Sequence, residues 1–369
     1  MKSNRRVPQI FIAAVTASLL LLMGPALRAA DANDPSAPKL PKPQYTGEYV
    51  GTYIAADGKT MLGVAKVFYD RKVKPNGAYR ATLQAVESGL LYGAVIGERT
   101  KCELRALLTG TWYYGTRAKP CRQLHLADDK WQGVLYGDDR IFQRWARPCG
   151  EFTVASKAGT FYLSRLQRKS PTLGAAPPDG AVVLLGGQAG KAPSLDTWTN
   201  KKWKTFNDGC MMVGEGNNYT ARKFRNFRLH AEFMVVHGKE GGGGNSGFYL
   251  LDRYEVQVLD SFGQKPSKGG CAAIYQTFAP SANACLPAGR WQTYDITFRA
   301  AIMDGKKVVK HPRITVSHNG VKVHDDVEIP HATGVARVRG DVAEGPIMLQ
   351  DHGSPVRYRN MWLVEIAGQ

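Results

Sequence analysis

The sequence predicts an all-β protein, a small β-rich domain followed by a jelly-roll β-sandwich. Three observations carry that reading. Apolar and polar residues alternate over many short segments, the period of a strand with one buried face, and helical periods of useful length are almost absent. Gly, Pro and Asn break these segments at short intervals, as turns between strands require. Asn319-Gly320, between the apolar runs that begin at Ile314 and end at Val323, is the strongest short hairpin signal in the chain. Many strands joined by such turns, with almost no helix, pack as a sandwich.

The chain opens with Lys2, Arg5 and Arg6, then the apolar run Ile10–Met23, then Ala29 and Ala30 ahead of Asp31. That is the order of a secretory signal over residues 1–30, and its apolar core is short for a membrane span, an uncleaved anchor being the alternative. No later segment is apolar enough to cross a bilayer. The expected location is therefore outside the cytoplasm of a bacterium, in the periplasm, the cell envelope or the medium. Removing residues 1–30 takes the formal charge from +18 to +14. The remaining Lys and Arg are scattered, without a compact basic block or a nucleic-acid motif, so nucleic acid is not an expected partner. Six cysteines in an exported chain point to disulfides rather than reactive thiols. Cys271 and Cys285 flank a loop of modest length and form the preferred pair; among Cys102, Cys121, Cys149 and Cys210 the pairing stays open, Cys102 with Cys121 being plausible.

Residues 31–44, with Pro35, Pro38, Pro41 and Pro43, read as an extended linker. Residues 45–168 form the first β-rich domain, with strands over Gly47–Ile54, Met61–Tyr69 and Ala78–Leu83 and around Glu103–Leu107, Gln132–Tyr136 and Thr160–Leu166. Its aromatic residues, Trp131 and Trp145 among them, are expected to fill the core. Pro171, Pro177 and Pro178 mark a second linker over residues 169–179. The sandwich occupies 180–369, with strands that include Leu229–Val236, Ala273–Thr277, Trp291–Ala300 and Arg359–Ile366.

The centre of the sandwich is Gly238–Gly263. A run of glycines, Gly241 to Gly244, precedes two strand-like segments, Gly247–Leu251 and Arg253–Leu259, broken at Asp252-Arg253. In the second segment Tyr254, Val256 and Val258 point one way, and Arg253, Glu255, Gln257 and Leu259 the other. A face carrying an acid, an amide and an arginine suits the floor of a polar cleft better than a core. A β-bulge between Glu255 and Asp260 would place both carboxylates over one groove, the arrangement that glycosidic chemistry commonly uses. Alternatively Glu255 pairs with a basic neighbour and Asp260 begins a turn. Near the C-terminus Gln350, Asp351, His352, Arg357, Arg359 and Asn360 crowd one hairpin-like segment. A histidine beside an aspartate at a strand end is a general acid/base candidate; it can equally shape the turn before Pro355.

Asn245-Ser-Gly-Phe-Tyr-Leu, the run Arg253–Gly263, Arg290–Phe298, His318-Asn-Gly-Val and Leu349–Asn360 together resemble the 3-keto-disaccharide hydrolase domain family, over roughly Asp179–Ala367. The resemblance implies a concanavalin-like lectin and glucanase fold, and cleavage of 3-oxo glycosides with an oligosaccharide or glycoside as partner. Glu255-x-Gln257-x-x-Asp260 also echoes the Glu-x-Asp-x-x-Glu strand of laminarinase-type glucanases, with Gln257 in place of the central acid. On the 3-oxo reading a base removes the C2 hydrogen, the C1 group leaves by elimination and water adds back. Glu255 or His352 is the expected base and Asp260 or His352 the expected proton donor. Asn245, Arg253, Gln257, Gln350, Asp351, Arg357 and Arg359 are the expected substrate-binding groups. A divalent metal held by Glu255, Asp260 and His352 is a further option that spacing does not mark. Two rivals remain: a conventional two-carboxylate glycosidase, and a non-catalytic carbohydrate-binding module of the cell envelope.

Overall fold

The computed structural model describes residues 46–70, 78–86, 102–114, 122–136, 151–186, 190–236, 244–333, 336 and 340–367. The expected signal, the segment 31–44, Gly241 to Gly243, Trp145, Cys121 and Cys149 lie outside the described residues.

Eight antiparallel strands form a closed barrel: β1 (Gly47–Ala55), β2 (Thr60–Asp70), β3 (Ala78–Val86), β4 (Cys102–Tyr114), β5 (Arg122–Ala127), β6 (Gln132–Tyr136), β7 (Glu151–Ser156) and β8 (Gly159–Leu166). Closure comes from β1, which pairs with β2 on one side and β8 on the other, so no strand edge is left open. Alternation places Tyr79, Ala81, Leu83 and Ala85 of β3 in the barrel core. Trp131 packs there against Phe161, ring centres 5.4 Å apart, as expected for a core aromatic.

The rest of the chain makes two facing sheets. The larger runs β10 (Lys204–Phe206), β11 (Cys210–Met212), β22 (Val356–Glu365), β13 (Phe227–Val235), β16 (Gln292–Arg299), β19 (Arg313–His318) and β20 (Val321–Glu328), with β9 (Val182–Leu185) beside the far part of β22. The smaller runs β12 (Asn218–Tyr219), β21 (Met348–Leu349), β14 (Asn245–Leu250) and β15 (Tyr254–Leu259). A hairpin of β17 (Ile302–Asp304) and β18 (Lys307–Lys310) stands apart from both. The turn between β19 and β20 falls on Asn319 and Gly320, both with positive φ (52° and 80°), as an Asn-Gly hairpin requires. The strand expected over Ala273–Thr277 is instead an irregular segment along the edge of β15. Left-handed backbone at Ala272 (φ 63°) and Gln276 (φ 57°) interrupts it, and Tyr275 N–H donates to the Glu255 carbonyl at 3.1 Å.

Aromatic side chains lock the two sheets together. Phe248 of β14 lies between Tyr294 and Tyr358 of the larger sheet, with ring centres 5.7 and 5.4 Å away. Both tyrosines are fully buried, so their hydroxyls need partners. Tyr294 donates to the Gln257 carbonyl and Tyr358 to the Ser246 hydroxyl, each at 2.6 Å. Ser246 in turn donates to the Gln350 carbonyl at 2.6 Å. Two strands of the smaller sheet, β14 and β15, are therefore held from across the core, and Ser246 passes the link on to the residue after β21.

The Pro-rich stretch after the barrel folds back over the outer face of the larger sheet. Gly174 N–H donates to Glu232, and Thr172 Oγ1 donates to Asp295 at 2.7 Å. Asn360 and Trp362 both donate to the Ala175 carbonyl, at 3.0 and 3.2 Å. Beneath this strap His230 Nδ1 lies 2.6 Å from Asp295, and Glu232 accepts from Arg359 Nε at 2.7 Å. Burial alone would lower the His230 pKa, but its hydrogen bond with Asp295 and the Glu232 carboxylate 3.8 Å from Nε2 outweigh that and raise it to about 9. Since the folded value exceeds that of a free imidazole, the stabilisation is complete below pH ~6.5 and is lost as pH rises through ~9. Chemical denaturation is therefore expected to show stability falling by up to about 3 kcal/mol over that interval, and His230→Gln is expected to flatten the fall. An unchanged pH dependence in His230→Gln would contradict this account.

Candidate functional site

The site lies on the outer face of the smaller sheet. Antiparallel register pairs Asn245 with Leu259, Gly247 with Gln257 and Tyr249 with Glu255, so these side-chain positions share one face. The other face, with Phe248, Leu250, Tyr254, Val256 and Val258, belongs to the sandwich core. On the far side of β14, β21 pairs Met348 with Tyr249, and Gln350 N–H donates to the Gly247 carbonyl at 3.0 Å, which brings Gln350 to the same polar face.

Gly247 is the centre of this arrangement. A β-carbon there would stand 2.5 Å from Glu255 Oε1, a contact real side chains do not make. The missing side chain is what lets the Glu255 carboxyl lie across the sheet. Tyr249 Oη donates to Glu255 Oε2 at 2.7 Å and accepts from Gln350 Nε2 at 3.4 Å. The Glu255 backbone N–H donates to Thr333 Oγ1 at 2.6 Å. Burial raises the Glu255 pKa, the Tyr249 hydrogen bond lowers it in part, and the balance is about 7. The carboxyl can therefore both take and give a proton near neutral pH.

Around it, three buried amide oxygens, Asn245 Oδ1, Gln257 Oε1 and Gln350 Oε1, have no hydrogen-bond partner among the described residues. Buried polar atoms rarely stay unpaired, because each costs roughly 1–3 kcal/mol. Three of them on one sheet face, from three different strand segments, form a ready set of acceptors for hydroxyl groups. Tyr249 is the member of this group that sequence reasoning missed. The alternation of β14, which puts residues 245, 247 and 249 on one side, is the signal that could have found it.

The other expected site residues are placed elsewhere. The β14–β15 register runs without a shift from Asn245–Leu259 to Leu250–Tyr254, so the bulge expected to bring Asp260 beside Glu255 is not there. Asp260 follows the strand, with its N–H donating to the Gly244 carbonyl at 3.3 Å, and its charge acts on the thiols of Cys271 and Cys285. His352 is exposed in the loop between β21 and β22, and among the described residues no hydrogen bond joins it to Glu255. Glu255 itself is only 2 % exposed. Asp351 shapes that loop, accepting from Gly216 N–H at 2.9 Å and Gly353 N–H at 2.8 Å. Arg253 sits in the turn before β15 and donates to the Asp252 carbonyl at 3.1 Å.

Arg357 and Arg359 lie on the outer face of the larger sheet, with the whole sandwich between them and Glu255. Arg357 forks onto Asp208 and covers the Phe206 ring, and Arg359 pairs with Glu232 over the Trp291 ring. Neither shares the face that carries Glu255. Among the described residues no group of three His, Cys, Asp or Glu side chains could hold a metal ion, and Glu255, Asp260 and His352 do not converge. Cys271 and Cys285 are unbonded thiols instead of the expected disulfide. The two thiols lie against each other, and Cys271 also meets the Tyr294 hydroxyl at 3.2 Å and Cys285 the Leu286 carbonyl at 3.4 Å.

The part of the chain that carries this face is similar to known proteins. A family described as the 3-keto-alpha-glucoside-1,2-lyase-like domain matches residues 180–364. Among solved structures, a proposed glycosyl hydrolase from Parabacteroides distasonis is 28 % identical, over 62 % of this chain and 98 % of its own, with a TM-score of 0.45. A second from the same organism is 16 % identical over 51 % of this chain and 95 % of its own, with a TM-score of 0.38. The carbohydrate binding module CBM66 from Bacillus subtilis is 13 % identical over 45 % of this chain and 93 % of its own, with a TM-score of 0.26. No curated protein matches the sequence. The family match covers half of the chain and includes every residue of the polar face, and on that ground this protein belongs to the 3-keto-alpha-glucoside-1,2-lyase-like domain family.

Proposed function

We propose that this protein cleaves 3-oxo glycosides by elimination across C1 and C2 followed by hydration, with Glu255 carrying the proton. One observation supports this above the others: a carboxyl with a pKa of about 7 lies among three unpaired amide oxygens on a single sheet face. The substrate's C3 ketone acidifies the C2 hydrogen, which ionised Glu255 removes. The electron pair left at C2 is held as an enolate and then forms the C1–C2 double bond as the C1–oxygen bond breaks. The departing oxygen takes the proton from Glu255 and leaves as an alcohol. Water then adds, hydroxyl to C1 and proton to C2, so the net reaction is hydrolysis.

One carboxyl suffices for this sequence, whereas a conventional glycosidase needs two flanking the bond. Asp260 and His352 stand off the face, so the proton handed to the leaving group is assigned to Glu255 itself. Amide groups of Asn245, Gln257 and Gln350 offer acceptors to the sugar hydroxyls and N–H donors to the enolate oxygen. Tyr249 holds the carboxyl in place and, by donating to it, favours its ionised form. The secretory pattern of residues 1–30 supports an enzyme that meets its substrate outside the cytoplasm.

The test is release of aglycone from matched 3-oxo and unoxidised glucosides. Release from the 3-oxo compound alone is expected, with a rate that rises with pH through about 7 as Glu255 ionises. Glu255→Gln should lower the rate by roughly 10²–10⁴-fold. Tyr249→Phe should move the inflection to higher pH, since it removes the donor that stabilises the carboxylate. Equal release from the unoxidised glucoside would establish ordinary glycosidase chemistry instead. Sugar binding without any turnover, unchanged in Glu255→Gln, would make this a binding module.

A further inference from the structure

Two contacts of the barrel with the sandwich fall on one loop, residues 261–285, which forms most of the connection between β15 and β16. At its near end Phe68 of β2 rests on Gly263. Alternation sends Ala65 and Val67 into the barrel core and turns Phe68 outward, where it packs against the core of the sandwich. Gly263 has positive φ (76°), and a β-carbon there would stand 2.5 Å from Phe68 Cδ1, so the ring lies on the bare backbone. At the far end Arg168, just beyond β8, donates from Nη2 to the Ala284 carbonyl at 3.1 Å. That guanidinium is itself fixed, because it forks onto Glu48 of β1, Nε to Oε2 at 3.1 Å and Nη2 to Oε1 at 3.0 Å.

The loop is tied across its neck. Asn283 Nδ2 donates to the Ser261 carbonyl at 2.6 Å and to the Gln264 carbonyl at 2.9 Å, and Cys271 N–H donates to Ser261 Oγ at 3.1 Å. Between these ties the loop runs along the outer edge of β15. Gln257 donates to the Ala273 carbonyl and accepts from the Ala272 N–H, each at 2.9 Å, and Tyr275 N–H donates to the Glu255 carbonyl at 3.1 Å. Inside the sandwich His324 of β20 meets the Ala272 carbonyl at 2.8 Å. The strand that carries Glu255 therefore has β14 on one edge, and on the other an irregular segment whose ends are gripped from the barrel. Segments with few regular backbone bonds of their own open readily unless they are held from outside.

We propose that the barrel is a positioning element for the candidate site: Phe68 and Arg168 clamp the loop 261–285, and the clamped loop fixes the edge of β15 from which Glu255 and Gln257 project. The proposal rests on the assignment of the chemistry to Glu255. Phe68 acts through the loop, and small displacements of a reacting group are costly in rate.

Amide hydrogen exchange and the pH–rate profile of Phe68→Ala, made in the full chain, test this. Exchange at Gln257 and Tyr275 should quicken by roughly tenfold or more, while amides of the β13–β16 ladder keep their rates. Cleavage of a 3-oxo glucoside should slow by roughly tenfold to a hundredfold. Its inflection should also move from about 7 toward the ordinary carboxyl range, since burial and the Tyr249 hydroxyl set that value and a loosened edge returns water to Glu255. Phe68→Leu refills most of the contact and should restore both the exchange rates and the inflection. Arg168→Lys keeps a cation beside Glu48 but loses the fork that reaches Ala284, and it should quicken exchange at the same two amides, so the clamp is read from either end. Tyr162→Ala, on the exposed wall of the barrel, should change neither readout. Unchanged exchange at Gln257 and Tyr275 in both Phe68→Ala and Arg168→Lys would overturn the proposal. So would a lower Tm in Phe68→Ala with the inflection still at about 7, the mark of a purely structural contact. Exchange needs no substrate, so a failed clamp is told apart from failed 3-oxo chemistry, which release by the unaltered protein decides.

Discussion

Glu255 occupies space that exists because residue 247 has no side chain, and its carboxyl lies flat against the sheet at the cross-strand pair Gly247–Gln257. That placement has two consequences. The carboxyl is withdrawn from water, which disfavours its charge and lifts its pKa toward neutrality. It is also brought within reach of Tyr249, whose hydroxyl donates to it and keeps the ionised form accessible. The strands that carry these groups are held from behind by Tyr294 and Tyr358, whose hydroxyls cross the core to Gln257 and Ser246. A sheet free to shift would lose the register on which the Gly247–Glu255 contact depends.

The two outer faces of the sandwich are both polar, and they do different work. On the smaller sheet the amides retain unpaired oxygens around a single acid. On the larger sheet most charges are paired: Glu232 accepts from Arg359, Asn360 and the Gly174 backbone, and Arg357 forks onto Asp208, while Arg357 Nε and His230 Nε2 have no partner among the described residues. The Pro-rich strap lies over part of that face through Thr172, Gly174 and Ala175.

Local signals in the sequence located what depends on local rules. Alternation in β15 separated Val256 and Val258 from Glu255 and Gln257, and Asn319-Gly320 marked its hairpin because that dipeptide accepts positive φ twice. Barrel closure was not legible, since it rests on β1 meeting β8 more than a hundred residues later. Arg357 and Arg359 seemed close to Gln350 in sequence, but the chain passes from one sheet to the other between them. The bulge expected before Asp260 failed for a related reason: regular pairing with β14 continues through Leu259. Tyr249 escaped notice because a tyrosine in an apolar run reads as core until its strand partner is known.

The claim on which the account rests is that Glu255 moves a proton at C2 of the sugar. Cleavage of a 3-oxo glucoside in deuterium oxide tests it most directly, with the released sugar analysed at once by NMR. Elimination and hydration predict deuterium at C2 of the product, formed in step with aglycone release and faster than exchange in a control without protein. Release of a sugar that still carries its original hydrogen at C2 would contradict the account, because the bond would then have been broken by displacement at C1.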